Sequence, residues 1–196
     1  MCVSSRSSFM KIIAGSAKGF PLLVPKGEVR PTQDRVREAL FNILTPILPG
    51  ARVLDLFCGS GSVGLEALSR GAARACMVDA SRSSCATARE NMQRTRLSGG
   101  SFVQSDCLTF VRRDRGIYDL IFADPPYCKA PGDRDMIAEL LTNRLHELLA
   151  PNGYFIAEAQ VGYGVGNVGT RDFPGWQLVD ERTYGKNTLL FYQVAP

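Results

Sequence analysis

The chain has 196 residues, 45% apolar and 21% charged, with a formal net charge of +4. That predicts one domain with a substantial core and a small appendage, and no apolar run approaches the roughly 20 residues that span a bilayer. Met1 to Phe9 is Ser-rich and lacks the apolar stretch of a signal peptide, so it reads as a loose N-terminal tail over 1–9. The charge is uneven. Residues 1–50 hold seven basic groups and three acidic ones, and the remaining 16 basic and 16 acidic residues cancel. The whole excess therefore precedes the central part of the chain, which suggests that a polyanion is received there. The other reading of that excess is a solvated basic surface.

In chain order, Met10 to Ala14 and Phe20 to Val24 are short apolar runs around Gly15-Ser16-Ala17-Lys18-Gly19, the pattern of a β-hairpin with a five-residue loop. Pro25 to Pro31 is irregular. Thr32 is a good N-cap, and Val36, Leu40, Ile43 and Leu44 recur at helical spacing up to Leu44. Pro46 to Gly50 ends this 10–50 unit. From 51 to 196 strands then alternate with helices. Strands are expected near 52–57, 75–79, 101–104, 118–123 and 153–159, and helices near 62–70, 82–95, 106–113 and 134–149. Such alternation predicts right-handed crossovers and a mainly parallel sheet covered on both faces. After a Gly-rich loop over 162–169, two late strands at 176–182 and 188–194 are expected to pair antiparallel through Tyr184-Gly185-Lys186.

Two motifs carry the chemistry. The first is Val53 to Gly64, an apolar strand running into Gly59-Ser60-Gly61 and then a helix. Glycine there allows a tight turn and a close ligand, and the helix start adds a positive end. The spacing also fits the dinucleotide fingerprint G-x-G-x-x-G, so a nicotinamide site must be weighed. Two features weigh against it: Asp55, because a carboxylate at the strand end would repel a pyrophosphate but can meet the amino group of a methionine moiety, and a second motif for which a nicotinamide enzyme has no use. That points to S-adenosylmethionine (SAM). Asp79 ends the second strand where such sites place a carboxylate on ribose hydroxyls, or else it caps the next helix. Asp106 ends the third strand, as an acceptor for the adenine amine or as an N-cap. The expected cofactor contacts are Asp55, Phe57, Gly59, Ser60, Gly61, Asp79, Asp106 and Cys107.

The second motif is Asp124-Pro125-Pro126-Tyr127, after the fourth strand. The lone pair of a nucleobase amine is delocalised into the ring, so an enzyme must turn it towards the methyl donor. Asp124 supplies one acceptor and the Pro125 carbonyl a second. Pro125 and Pro126 stiffen the backbone, and Tyr127 can stack on a base withdrawn from its helix. Catalysis is then mainly positioning, and no metal is required. The six cysteines form no C-x-x-C pair, which predicts reduced thiols in a cytoplasm and no zinc site. Cys58 and Cys128 lie in the two motifs, but the only histidine, His146, falls in a predicted helix and is not placed to activate either.

These segments also carry a resemblance. Met10 to Gly15, Arg30-Pro31-Thr32, Asp34 to Asn42, Leu54 to Gly64, Glu66 to Ala72 and Asp124 to Tyr127 resemble the bacterial RsmD family, over Met10 to about Gln193. Those enzymes methylate the N2 amine of one guanine in 16S ribosomal RNA. The resemblance implies a class I SAM-dependent methyltransferase: an α/β Rossmann-like sheet of seven strands, with an N-terminal hairpin and helix that contact RNA and close over the cofactor. It implies 16S rRNA as partner, within a small-subunit particle, and the basic excess of the N-terminal region makes Lys18, Arg30, Arg35 and Arg37 the expected RNA contacts. The chain departs from the pattern with Cys58 for a usual Ala, Asp79 for a common Glu, Ser81 for a frequent second acid, and nine extra leading residues. The same Asp-Pro-Pro-Tyr motif also serves DNA adenine-N6 methyltransferases, although no separate DNA-recognition domain is evident. A non-catalytic RNA-binding protein with a relic fold is the remaining reading, opposed by the intact Asp55, Gly59, Gly61 and Asp124. Nothing in the sequence demands more than a monomer.

Overall fold

A computed structural model describes residues 10–24, 31–126, 133–162, 165 and 171–196, with only the backbone for 31–34. Among these, the central sheet has seven strands in the order β3-β2-β1-β4-β5-β7-β6. The strands are β1 Arg52–Leu56, β2 Arg74–Asp79, β3 Gly100–Gln104, β4 Tyr118–Ala123, β5 Leu149–Gln160, β6 Trp176–Tyr184 and β7 Asn187–Val194. The first five are parallel, and β7 joins β5 antiparallel with β6 on the edge. Strand order reverses between β1 and β4, whose carboxyl ends meet with Leu56 opposite Ala123. Open α/β sheets bind ligands at such a switch point.

Both faces are covered. One core holds Val53, Leu120, Phe122 and Ile156 under helix α1 (Pro31–Leu44), α2 (Ser62–Ser69) and α3 (Arg82–Thr95). The other holds Leu54, Leu56, Ile121 and Phe155 under α4 (Cys107–Arg113) and α5 (Met136–Leu141). Alternate residues of β1, β2, β4, β5 and β7 serve opposite cores, as a doubly covered sheet requires. Met10, Ile12, Leu22, Val36, Leu40 and Phe41 belong to the first of these cores, so the segment over 10–24 and α1 share it with the sheet.

Three local expectations change. The helix expected over 134–149 is two pieces, α5 and a 3-10 turn over Arg144–Leu148, with β5 starting already at Leu149. Thr142 turns its hydroxyl back onto the Ala138 carbonyl (2.8 Å), and Asn143 Oδ1 accepts from the Arg144 N–H (3.0 Å). These short polar side chains satisfy backbone groups that helix would otherwise use. The N-terminal hairpin is reduced to one bridge, Lys11 opposite Pro21, flanked by Ile12–Phe20 and Leu22–Met10 backbone bonds. Pro21 has no N–H to extend the ladder. Finally, α1 starts at Pro31, the first-turn position that proline favours; the Thr32 cap expected from sequence falls on a side chain outside the described ones.

Candidate active site at the switch point

The first motif forms the turn from β1 into α2. The Asp55 side chain lies on the α2 face, 3% exposed, and Oδ2 accepts from the Gly64 N–H (3.0 Å). Burial, less the help of that bond and with added repulsion from Asp79, pushes its carboxyl up from 3.8 to about 7. The turn then climbs through Phe57 at φ 67 and Gly59 at φ 51 to Gly61 at φ 78, the N-cap of α2. A phenylalanine in the left-handed region is strained by about 1–2 kcal/mol, the kind of strain that collects at ligand sites. The Gly59 N–H donates to Asp79 Oδ2 (2.9 Å), and the Cys58 N–H to the Val78 carbonyl (2.9 Å), which fastens the turn to the end of β2.

The glycines turn out to have different reasons. A Cβ at Gly61 would lie 2.9 Å from that of Ala88, and one at Gly64 would lie 2.7 Å from Met77 Cγ. Both are required by close packing of α2 on β2 and α3. Asp79 is not the cap of α3: its other oxygen accepts from the Ser81 N–H (2.8 Å), and Ser81 is the cap, accepting from the Ser84 N–H. Asp106 does cap α4 through the Thr109 N–H (2.9 Å), which holds its carboxyl below the usual range. It remains exposed at the same edge, with Cys107 buried beneath it.

The second motif stands beside the first. Because Leu56 and Ala123 are partners, Phe57 and Asp124 leave the sheet side by side. Asp124 is half-buried, Pro125 buried and Pro126 exposed. Tyr127 and Cys128 lie outside the described residues. Burial, with the nearby Asp55 and Asp79 charges, pushes the Cys58 thiol far up, and Cys107 is pushed to about 11. Neither is a thiolate nucleophile near neutral pH. Among the described residues no group of three or more His, Cys, Asp or Glu could hold a metal.

The expected RNA contacts separate. Arg35 is exposed on the first turns of α1. That helix passes Phe41 beside Phe122 with ring centroids 6.1 Å apart. Arg35 is six residues earlier on the same helix, about 9 Å along its axis at 1.5 Å per residue. Arg37 is 5% exposed and donates from Nη2 to the Lys11 carbonyl (2.7 Å). It ties α1 to the arm over 10–24 and is not on the surface as an RNA contact would be. Lys18 is exposed, but the loop that carries it packs on the far end of α2, where the Ser16 N–H reaches the Ser69 carbonyl (2.8 Å). It therefore lies at the edge of the sheet opposite Asp124. Arg30 is outside the described residues.

Two buried residues to which the motif reading gave no role fasten the arm to the rest of the fold. Glu66 is fully buried and accepts from the Ile13 and Ala14 N–H groups (2.7 and 3.0 Å) and from Arg70 (2.7 Å). Asn91, also fully buried, exchanges two bonds with Leu23 (2.8 and 2.9 Å) and donates to the Ser60 carbonyl (2.9 Å). Asn91 thus links the arm to the glycine turn. A buried polar residue inside an amphipathic helix was the available signal, but its partners are 31 and 68 residues away.

The comparisons agree with this geometry. A family model described as conserved hypothetical protein 95 matches residues 10–193. The chain belongs to this family, the RsmD family. The ribosomal RNA small subunit methyltransferase D of Escherichia coli K12 is 33% identical over 192 residues, covering 96% of this chain and 92% of its own length. The enzyme of the same name from Haemophilus influenzae is 31% identical over 196 residues, with 94% and 93% covered. Among solved structures, the Escherichia coli protein yhhF superposes with a TM-score of 0.76 at 32% identity, over 95% of this chain and 98% of that one. A hypothetical protein of Thermus thermophilus gives 0.75 at 29% identity, over 93% and 98%. The seven-stranded sheet here is the Rossmann-like sheet of SAM-dependent methyltransferases.

Proposed function

We propose that the protein transfers the methyl group of SAM to the exocyclic N2 amine of a guanine in 16S ribosomal RNA. It does so in the cytoplasm, as a monomer, on RNA within a small-subunit particle. The observation that carries this reading is the pairing of Leu56 with Ala123, which sets the acidic glycine turn and Asp124-Pro125 side by side at one edge.

The turn fits SAM. Asp55 is a buried carboxylate raised to about 7, and an ammonium group beside it would favour its ionised form. Phe57, Gly59, Ser60 and Gly61 would enclose the methionine portion, Asp79 would meet the ribose, and Asp106 with Cys107 would flank the adenine. When bound, SAM supplies a sulfonium-activated methyl group to the amine. The chain's own contribution is to aim that amine. Asp124 and the Pro125 carbonyl accept its hydrogens and leave the lone pair directed away from them. Asp124 also offsets the positive charge that grows on nitrogen as the bond forms. Tyr127 would stack on the base, and Arg35 and Arg30 would hold phosphates. Lys186, exposed in the β6–β7 turn at the same edge, is a further phosphate contact.

Tritiated SAM offered with small-subunit particles, free 16S RNA and DNA tests the reading. Label is expected in the particles or RNA. Label confined to DNA would favour the adenine-N6 alternative, and none in any of the three would favour a non-catalytic role.

A further inference from the structure

We propose that Glu158, oriented by Asn187, reads the ring N–H next to the acceptor amine and so selects guanine over other amino-bearing bases. This rests on the methyl-transfer reading above and adds a specificity-determining residue to it. Parallel pairing sets Ala123 opposite Ala157, so Asp124 and Glu158 are the next residues along two adjacent strands. Side-chain alternation fixes the face. Phe155 and Ala157 enter the core under α4 and α5, whereas Ile156 enters the core under α1 to α3. Glu158 is therefore on the Ile156 face, which is also the face of Asp55 and its Gly64 contact.

Glu158 is half-buried, and the Asn187 side chain, 9% exposed, donates to its Oε1 (2.6 Å). Strands β5 and β7 are already joined by their backbone ladder, with Glu158 opposite Leu189 and Gln160 opposite Asn187. The Asn187 bond sets the direction of the carboxylate, which carries about four acceptor sites in all.

The base chemistry supplies the selectivity. Adenine, cytosine and guanine each carry an exocyclic amine. Beside the amine, adenine N1 and cytosine N3 are acceptors, whereas guanine N1 carries a hydrogen. A carboxylate next to Asp124 accepts from the guanine N1–H and repels a ring nitrogen lone pair. With Asp124 on the amine and Glu158 on N1–H, the two carboxylates would take adjacent donors of one edge. A site built to bond a donor rejects analogues that lack it far more strongly than an apolar pocket rejects a size change.

The test uses reconstituted small-subunit particles carrying guanine or 2-aminopurine at the methylated position. 2-Aminopurine keeps the N2 amine but presents N1 as an acceptor. The parent is expected to prefer guanine by at least about tenfold in single-turnover rate, equal to about 1.4 kcal/mol. Glu158→Gln keeps an oxygen for Asn187 and offers its amide N–H to N1. The preference should then shrink to within about threefold or reverse, with SAM affinity unchanged. Asn187→Ala should relax the preference in the same direction, as a second variant should the first fold poorly. A parent that methylates both bases equally overturns the inference alone, as does a Glu158→Gln enzyme that keeps the parental preference. A parent that methylates neither overturns the methyl-transfer reading, and the inference with it.

Discussion

At the scale of residues, the site divides into groups that bind and groups that aim. Gly59 adopts φ 51 and donates its N–H to Asp79, so Gly59→Val strains the turn and puts a side chain at the cofactor position. Calorimetric titration should show SAM affinity at least tenfold weaker with the fold intact, about 1.4 kcal/mol; unchanged affinity would detach the turn from the cofactor. Asp124→Ala removes the amine acceptor and leaves the turn in place. Methyl transfer should fall by about 10²–10³, as for loss of a preorganised electrostatic group, and by less in Asp124→Asn. SAM affinity should stay within about threefold, well under 1.4 kcal/mol. Asp55 adds a pH dependence. Its carboxyl, raised by burial from 3.8 to about 7, holds a proton in the folded chain that the unfolded chain has already released. Folding stability should therefore fall as pH climbs from about 4 to about 7, then level. SAM affinity should do the reverse, rising up to about pH 7, because a cationic ammonium draws on the ionised carboxylate. Asp55→Asn should flatten the binding profile, and a profile that stays steep would place the titrating group elsewhere.

At the scale of elements, the arm over 10–24 and α1 decide how the polyanion is met. The arm is held by side chains whose removal leaves buried backbone groups unpaired. Asn91→Ala orphans Leu23 and the Ser60 carbonyl, and should lower stability in urea by about 1–3 kcal/mol. It should also weaken SAM binding through the turn, and a stability loss with unaltered SAM affinity would show the arm to be uncoupled from the site. On the surface, Arg35→Gln and Lys186→Gln should each reduce the salt slope of RNA binding by about one unit. Lys18→Gln should leave it unchanged, given its place at the other end of α2. Strands β1, β2 and β4 were legible in the sequence because each is a short apolar run stopped by glycine or aspartate, whereas the early start of β5 was hidden by Pro151-Asn152-Gly153. The break at Thr142-Asn143 was not legible, because hydrophobic periodicity continues through it at Leu145 and Leu148. Nor was the burial of Arg37, since a charge count cannot tell a guanidinium that caps a backbone carbonyl from one that faces solvent.

At the scale of the whole molecule, topology turns two distant motifs into one site. The neighbourhood of β1 and β4 could be expected from the usual order of such sheets. That of Asp124 and Glu158 could not, because it needs the register of β4 on β5, which shifts between Tyr118 and Leu120. The antiparallel return of β6 and β7 likewise brings Lys186 to the carboxyl edge, where a parallel continuation would have taken it elsewhere. The central claim is that this edge presents a guanine N2 amine to SAM with Asp124 as its acceptor. Its most direct test is the nucleoside product formed on unmodified small-subunit particles by the parent and by Asp124→Ala, resolved by mass spectrometry after digestion. N2-methylguanosine is expected from the parent, and little or none from Asp124→Ala at equal SAM occupancy. A different methylated nucleoside, or an Asp124→Ala enzyme working at the parental rate, would contradict it.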